Sequence, residues 1–320
     1  MMAKTVDKKI LQAKNIIDIE TMNVEDISLI LDTALSMKEI MSRDIKKVPA
    51  LRGKMIANMF FESSTRTRTS FEIAAKMLSA DTVSFTASGS SMSKGETLLD
   101  TVRNIIAMGP DLLVMRHASS GAPYFVAKNI NIPVINAGDG RHEHPSQALL
   151  DLFTVREKKG KLKGLKVSIV GDILHSRVAR SDIYAFKKMG ANVRLVGPPA
   201  FIPDYFRQFG AEIFYDMEKG IKDADVIIML RIQIERQGKN FFPDIREYYE
   251  LYGLKENILC FAKDDLLVMH PGPLNRGVEI DSEVADGKHS VILDQVTNGV
   301  AVRAALLYLL LGSRTDENID

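Results

Sequence analysis

Seven consecutive residues, Ser63-Ser64-Thr65-Arg66-Thr67-Arg68-Thr69, carry only hydroxyl or guanidinium side chains. They follow the apolar run Lys54–Phe61, which has strand length. They precede a stretch in which Phe71, Ala74, Ala75 and Leu78 mark one face of a helix. The cluster therefore falls in a strand-to-helix turn. There, outward-pointing backbone N–H groups, the helix dipole and forked arginine donors all favour an oxyanion such as phosphate. An ordinary helix cap would need only one hydroxyl.

Five further stretches carry chemistry. The loop Ser88–Thr97 holds Lys94, a lone cation entering a helix N-terminus, where the dipole mildly disfavours it. The strand-like run from Leu112 ends in Arg116-His117. In Gly140–Gln147, Pro145 suits the first turn of a helix with an apolar side of Leu149, Leu152 and Phe153. His144 and Gln147 then share one face of that helix. His142, His144 and Asp139 could hint at a metal, but helical ligand spacing is missing, and hydrogen bonding is the preferred reading.

The fifth stretch, Val167–Ser181, places Gly171 after a strand and Arg177 before a helix. One glycine stands where a G-x-G-x-x-G fingerprint needs three, which argues against a dinucleotide cofactor. The last group is Leu230–Arg236 with His270-Pro-Gly272-Pro273. Strand alternation puts Arg231 and Gln233 on one side of an extended segment, and the two prolines leave that turn rich in carbonyls. No nucleophile has an activating partner, and neither a G-x-S-x-G elbow nor a Walker lysine loop is present. Binders and polarisers without a nucleophile suit direct group transfer from an activated donor. No cofactor and no metal are expected.

The elements that must position these residues form two α/β halves. Strands are predicted at Lys54–Phe61, Thr82–Thr86, Leu112–Arg116 and Val134–Asn136, then at Lys166–Gly171, Asn192–Val196, Glu212–Tyr215, Val226–Leu230 and Leu267–Met269. Helical patterns over Asn23–Arg43 and Thr97–Met108 lie among them. Continuous apolar strands alternating with helices predict parallel sheets covered on both faces. The charged run Arg156–Lys163 reads as a solvated helix end at the crossing between halves. The closing segment Val300–Leu311 is apolar all round and is expected to be buried, packing back across the domain junction.

Composition bounds the function. With 42 Lys plus Arg against 41 Asp plus Glu, the net charge of +1 excludes a broad electrostatic grip on nucleic acid or anionic membrane. The length of 320 residues suggests two domains. A single cysteine, Cys260, excludes an intramolecular disulfide and points to a reducing compartment. The start of the chain lacks the apolar stretch of a secretory signal, and the run Ala304–Leu311 is far short of the roughly 20 residues a membrane span needs. A cytoplasmic location is expected.

Several motifs taken together carry a resemblance. Ser64–Glu72 (STRTRTSFE), Lys94–Thr101 (KGETLLDT), Met115–His117 (MRH) and His144–Thr154 (HPSQALLDLFT) closely resemble the transcarbamoylase family. Gly171–Ser181 (GDILHSRVARS), Leu230–Arg236 (LRIQIER) and His270–Ile280 (HPGPLNRGVEI) resemble its aspartate-accepting branch. The Ser-Met-Gly loop and His-Cys-Leu-Pro turn of the ornithine branch are absent.

The resemblance implies transfer of the carbamoyl group of carbamoyl phosphate to the α-amine of L-aspartate, the committed step of pyrimidine synthesis. It implies that Ser64, Thr65, Arg66 and Thr67 hold the phosphate, and that Thr67, Arg116 and His144 contact the carbamoyl oxygen. Gln147 with Gly272 and Pro273 would meet the carbamoyl amide, and Arg177, Arg231 and Gln233 the aspartate carboxylates. Lys94 would reach in from a neighbouring subunit, making a homotrimer with shared active sites.

The implied domains are a carbamoyl phosphate-binding domain over 1–155, to which 298–320 return, and an aspartate-binding domain over 156–297. A regulatory chain or a dihydroorotase are conceivable partners; nucleic acid and membrane are not. An ornithine-specific enzyme, a non-catalytic scaffold paralogue and a nicotinamide-dependent dehydrogenase are the alternatives.

Overall fold

A computed structural model describes residues 10–86, 95–232 and 245–312. By packing, the chain divides into two compact units. The first comprises Met1–Ile17, Thr21–Ala137 and Val300–Asp320; the second comprises Asp18–Glu20 and Gly138–Gly299.

In the first unit the described elements follow in the order α1 (Val24–Met41), β1 (Met55–Phe60), α2 (Thr65–Met77), β2 (Asp81–Thr86), α3 (Leu98–Ile106), β3 (Leu112–His117), α4 (Ala122–Lys128) and β4 (Val134–Asp139), whose last two residues fall in the second unit. The strand order is β2-β1-β3-β4, and β1 pairs in parallel with both β2 and β3. Asn23 caps α1 by accepting from the Asp26 N–H, and Thr97 caps α3 by accepting from the Asp100 N–H. Ala57, Met59, Leu113, Met115, Val102 and Val126 form a core on one face of this sheet.

The second unit continues with α5 (Pro145–Lys159), β5 (Lys166–Val170), α6 (Arg177–Lys188), β6 (Asn192–Val196), β7 (Glu212–Phe214), α7 (Met217–Ile221), β8 (Val226–Met229), α8 (Ile245–Tyr252), β9 (Leu267–Met269), α9 (Ser282–Ala285) and α10 (Ile292–Leu311). Its sheet has the order β7-β6-β5-β8-β9, with each pairing parallel. Val170, Val196, Ile227, Met229 and Val268 form a core with Ile221, Leu254 and Ile280. The expected α/β architecture of parallel sheets flanked by helices is present in both units.

Three details differ from expectation. The closing helix starts at Ile292, eight residues before the apolar run begins. Its first two turns carry Asp294, Gln295 and Asn298, whose polarity hid the helical pattern, and Gln295 and Asn298 are buried. From Val300 on it belongs to the first unit, where the Arg303 guanidinium lies 5.4 Å from the Phe71 ring centre. Second, α5 is buried on every side from Pro145 to Val155 rather than on one apolar face. Its polar residues find partners inside the unit: Gln147 Nε2 donates to Asp151, Asp151 also accepts from Gln295, and the Thr154 hydroxyl donates to the Leu150 carbonyl and accepts from Asn298. The charged run that follows is the last turn of α5, closed by Gly160 at φ +71°.

Third, β8 ends at Met229, so Arg231 lies past the strand instead of on it. Strand alternation therefore does not fix the facing of Arg231, and Gln233 is outside the described residues. No helix among the described residues is long and apolar enough to cross a membrane.

Candidate active site

The strand orders place the chemistry. In the first sheet the chain leaves β1 toward β2 on one side and later fills β3 and β4 on the other, so the direction reverses between β1 and β3. In the second sheet it reverses between β5 and β8. Ligands of open parallel sheets bind at such reversals, beyond the carboxyl ends of the strands. The residues that follow β1 are Glu62 to Arg68, and β3 ends on Arg116 and His117. The residues that follow β5 lead to Arg177, and those after β8 to Arg231. All of the predicted arginine ligands thus lie at a reversal point.

In the first unit, Ser64 occupies the N-cap position of α2 but makes no side-chain capping bond, which leaves its hydroxyl for a ligand. Thr67 is buried in the first turn, and the Arg66 side chain is exposed. Partial burial of its guanidinium lowers the Arg66 pKa from the ordinary value, although arginine stays cationic at any neutral pH. Among the described residues no carboxylate pairs with Arg66. Arg68, by contrast, lies 3.7 Å from Glu72 on the same helix. The two arginines of the motif are therefore not equivalent: Arg66 is the one available to an anion.

Parallel pairing sets Phe60 beside Arg116. That register lets the Arg116 Nη2 donate to Glu62 Oε1 at 2.7 Å, while Nη1 donates to the Ala137 carbonyl at 3.3 Å. His117 packs edge-on to Phe61 and accepts from the Ser119 N–H through Nδ1, so its part is to brace the loop.

In the second unit, His144 is the buried N-cap of α5. Its backbone N–H donates to Ser181 Oγ at 2.8 Å, and the Ser181 hydroxyl donates to Glu143 Oε2 at 2.8 Å. Glu143 also accepts the N–H groups of Ile19 and Glu20. Burial is the main reason its pKa rises to about 7, with the three hydrogen bonds opposing the shift.

This makes a pH prediction. Between the ordinary 4.5 and about 7 the folded chain holds the Glu143 proton and the unfolded chain does not, so stability falls as pH rises through that window. A shift of that size corresponds to on the order of 3 kcal/mol. Glu143→Gln is always neutral, so its melting temperature relative to wild type is expected to climb from pH 5 to pH 7. A constant offset in thermal scans across that range would count against it.

Arg177 opens α6 and is buried, with Nη1 3.5 Å from the Gly140 carbonyl oxygen. The turn before it is held by Asp172, which accepts from the His175 backbone N–H and pairs with His175 Nδ1 at 2.7 Å. Gly171 has φ +126°, and a Cβ there would meet the Leu230 carbonyl oxygen at 2.8 Å. The glycine lets β5 and β8 end side by side. His142 lies 3.1 Å from Asp139, and the described residues hold no group of three potential metal ligands. Gly272 is half-buried and Pro273 exposed, and the bond between them is cis. Lys94 lies outside the described residues, as does Gln233.

Two family descriptions match this chain. Residues 14–157 match the aspartate/ornithine carbamoyltransferase carbamoyl-P binding domain, and residues 163–310 match the Asp/Orn binding domain of the same enzymes. The chain belongs to the aspartate/ornithine carbamoyltransferase family.

Within that family it is 60% identical over 305 residues to an aspartate carbamoyltransferase catalytic subunit from Syntrophotalea carbinolica, covering 95% of this chain and 97% of that one. The structure of an aspartate transcarbamoylase from Trypanosoma cruzi, in complex with carbamoyl phosphate and aspartate, is similar with a TM-score of 0.85. That alignment is 28% identical and covers 94% of this chain and 98% of that one. An ornithine carbamoyltransferase from Pyrococcus furiosus has a TM-score of 0.84 at 31% identity, covering 98% of this chain and all of the other. Fold similarity alone is therefore blind to the acceptor. The 60% relationship places the chain on the aspartate side of the carbamoyltransferase family.

Sequence reasoning missed Glu62, Glu143, Asp172 and Asp151. Each is a carboxylate that holds a proposed site residue or its loop. Acidic residues adjacent to a basic motif are the signal that could have found Glu62, Glu143 and Asp172. Nothing local marks Asp151.

Proposed function

We propose that the chain is an aspartate carbamoyltransferase that converts carbamoyl phosphate and L-aspartate to N-carbamoyl-L-aspartate and phosphate, in de novo pyrimidine synthesis. The observation that carries this reading is the placement of its cations. Arg66, which no carboxylate among the described residues pairs with, stands at a helix start with Arg116 at one reversal point, and Arg177 and Arg231 at the other. One set suits a phosphate with a polarised carbonyl, and the other suits two carboxylates.

The uncharged α-amine of aspartate attacks the carbamoyl carbon, and negative charge grows on the carbonyl oxygen. Arg116, Thr67 and His144 donate to that oxygen. The C–O bond to phosphate then breaks, Arg66 with Ser64, Thr65 and Thr67 receives the departing phosphate, and the amine proton passes to a phosphate oxygen. Gln147, Gly272 and Pro273 hold the carbamoyl amide. Arg177, Arg231 and Gln233 hold aspartate, with Lys94 supplied by a neighbouring subunit.

The domain assignment that goes with this is carbamoyl phosphate binding by 1–155 with 298–320, and aspartate binding by 156–297. The family matches to 14–157 and 163–310 support it. The proposed assembly is a cytoplasmic homotrimer with a regulatory chain or a dihydroorotase as candidate partners. Sedimentation of the purified chain, alone and in extract, tests that.

Phosphate release measured with aspartate and then with ornithine tests the reaction. Turnover is expected with aspartate only; turnover with ornithine, or with neither, would overturn the reading. Arg231→Ala is expected to raise the aspartate KM about 10- to 100-fold, the range for a lost charged hydrogen bond, with little change for carbamoyl phosphate. Unchanged aspartate kinetics would remove Arg231 from the site.

A further inference from the structure

The buried helix α5 carries Gln147 and Asp151 one turn apart, and the second unit closes a polar network around them. Gln147 Nε2 donates to Asp151 at 3.2 Å from Oδ1 and 3.3 Å from Oδ2. Gln295 of α10 donates to the same Oδ1 at 2.6 Å through its own Nε2. An ionised carboxylate can only accept, so both glutamines must face Asp151 with their nitrogens. This orientation follows from chemistry and not from the shape of the amide, whose two ends are alike.

For Gln295 the opposite end is then an oxygen, and it accepts the His270 N–H at 2.9 Å. His270 in turn accepts the Gly272 N–H through Nδ1, and its Nε2 faces Glu279 Oε1 at 3.1 Å. For Gln147 the opposite end is also an oxygen, and no described residue donates to it.

An acceptor-only Asp151 must be the charged member of its surroundings. Asp182 of α6 is its neighbour, completely buried, and among the described residues no donor reaches either oxygen of Asp182. Burial and the adjacent Asp151 charge hold the Asp182 carboxyl well above the usual range. With two amide donors on Asp151 and none on Asp182 among the described residues, the charge is favoured on Asp151 and the proton on Asp182.

We propose that Asp151 and Gln295 are positioning residues that fix Gln147 with its amide oxygen presented as an acceptor, so that the chain selects the –NH2 of carbamoyl phosphate over the methyl of an otherwise similar acyl phosphate. The same carboxylate, through Gln295 and His270, holds the turn at Gly272-Pro273. Both elements assigned to the carbamoyl amide are thus set by one buried acceptor. The inference rests on the proposed contact of Gln147 with that amide.

The test measures dissociation constants of carbamoyl phosphate and acetyl phosphate for the assembled enzyme. In Asp151→Asn the fixed acceptor is lost and either end of Gln147 can face outward. The preference for carbamoyl phosphate is expected to shrink about tenfold, with acetyl phosphate affinity within twofold of wild type. In Asp182→Asn the neighbour of Asp151 stays uncharged and Asp151 keeps both glutamine donors, so the wild-type preference is expected to survive. An unchanged preference in Asp151→Asn, or equal weakening of both ligands, would overturn the proposal, the second because it marks a merely structural role. If Asp151→Asn does not fold, Asp151→Ser removes the fixed acceptor with a smaller side chain and is expected to give the same compression. Gln147→Ala serves as the separate control: an unchanged preference there would sink the contact of Gln147 itself, whatever Asp151 does.

Discussion

Arg66→Ala is expected to lower turnover about 10³-fold or more at saturating substrates while the protein stays folded. The size follows from the chemistry. The leaving phosphate gains charge as the C–O bond breaks, and an arginine placed on such charge contributes on the order of 10³–10⁵ in rate in related phosphate chemistry. The tolerance follows from the structure. The Arg66 side chain is exposed, and no described carboxylate depends on it, so its removal leaves no buried charge unpaired. Arg68→Ala is the built-in comparison, since Arg68 is engaged with Glu72 along the helix. Steady-state kinetics with thermal melts on both variants decide the matter. Equal losses at the two positions would mean that the motif acts only as general positive charge.

Arg116→Ala is expected to cost about 10²–10³ in kcat, the range for removing one donor from a developing oxyanion. Its partner makes the prediction more specific. Glu62 receives the Arg116 Nη2 hydrogen at 2.7 Å, and both side chains are partly buried. That pair aims the guanidinium and competes for it, so Glu62→Gln keeps a hydrogen-bond acceptor but drops the charge. It is expected to change kcat by less than Arg116→Ala, and to do so without raising the aspartate KM as Arg231→Ala would. Single-turnover rates with carbamoyl phosphate in excess separate these outcomes. A Glu62→Gln loss as large as that of Arg116→Ala would show that Glu62 itself takes part in chemistry.

The local parts of the site were legible for a simple reason. An apolar strand followed by hydroxyls, arginines and an amphipathic helix encodes its own turn, because periodicity and capping act over a few residues. That is why β1, α2 and the anion-binding turn lie where the pattern puts them. Arg231 was less legible. The apolar run into Leu230 continued the strand pattern past Met229, but the β8 ladder stops where the β5 chain turns away at Gly171. The end of a strand depends on its neighbour's length, which no local pattern carries.

Asp151 shows the same limit more sharply. In sequence it is one acidic residue in an apolar helix, and nothing local marks it. In the structure it is fully buried and holds Gln295, 144 positions away. Likewise Glu62 and Arg116 are 54 positions apart and meet because β1 and β3 are adjacent strands.

The sequence by itself determined the class of chemistry, because residue types and short spacings fix what each turn can bind. It determined the two α/β halves, because burial on both faces requires continuous apolar strands. Only the tertiary structure decided which turns share a reversal point, which arginine is left for an anion, and which carboxylate orients Gln147. Those depend on strand order and on buried polar groups finding partners, and both arise from contacts between residues that are distant along the chain.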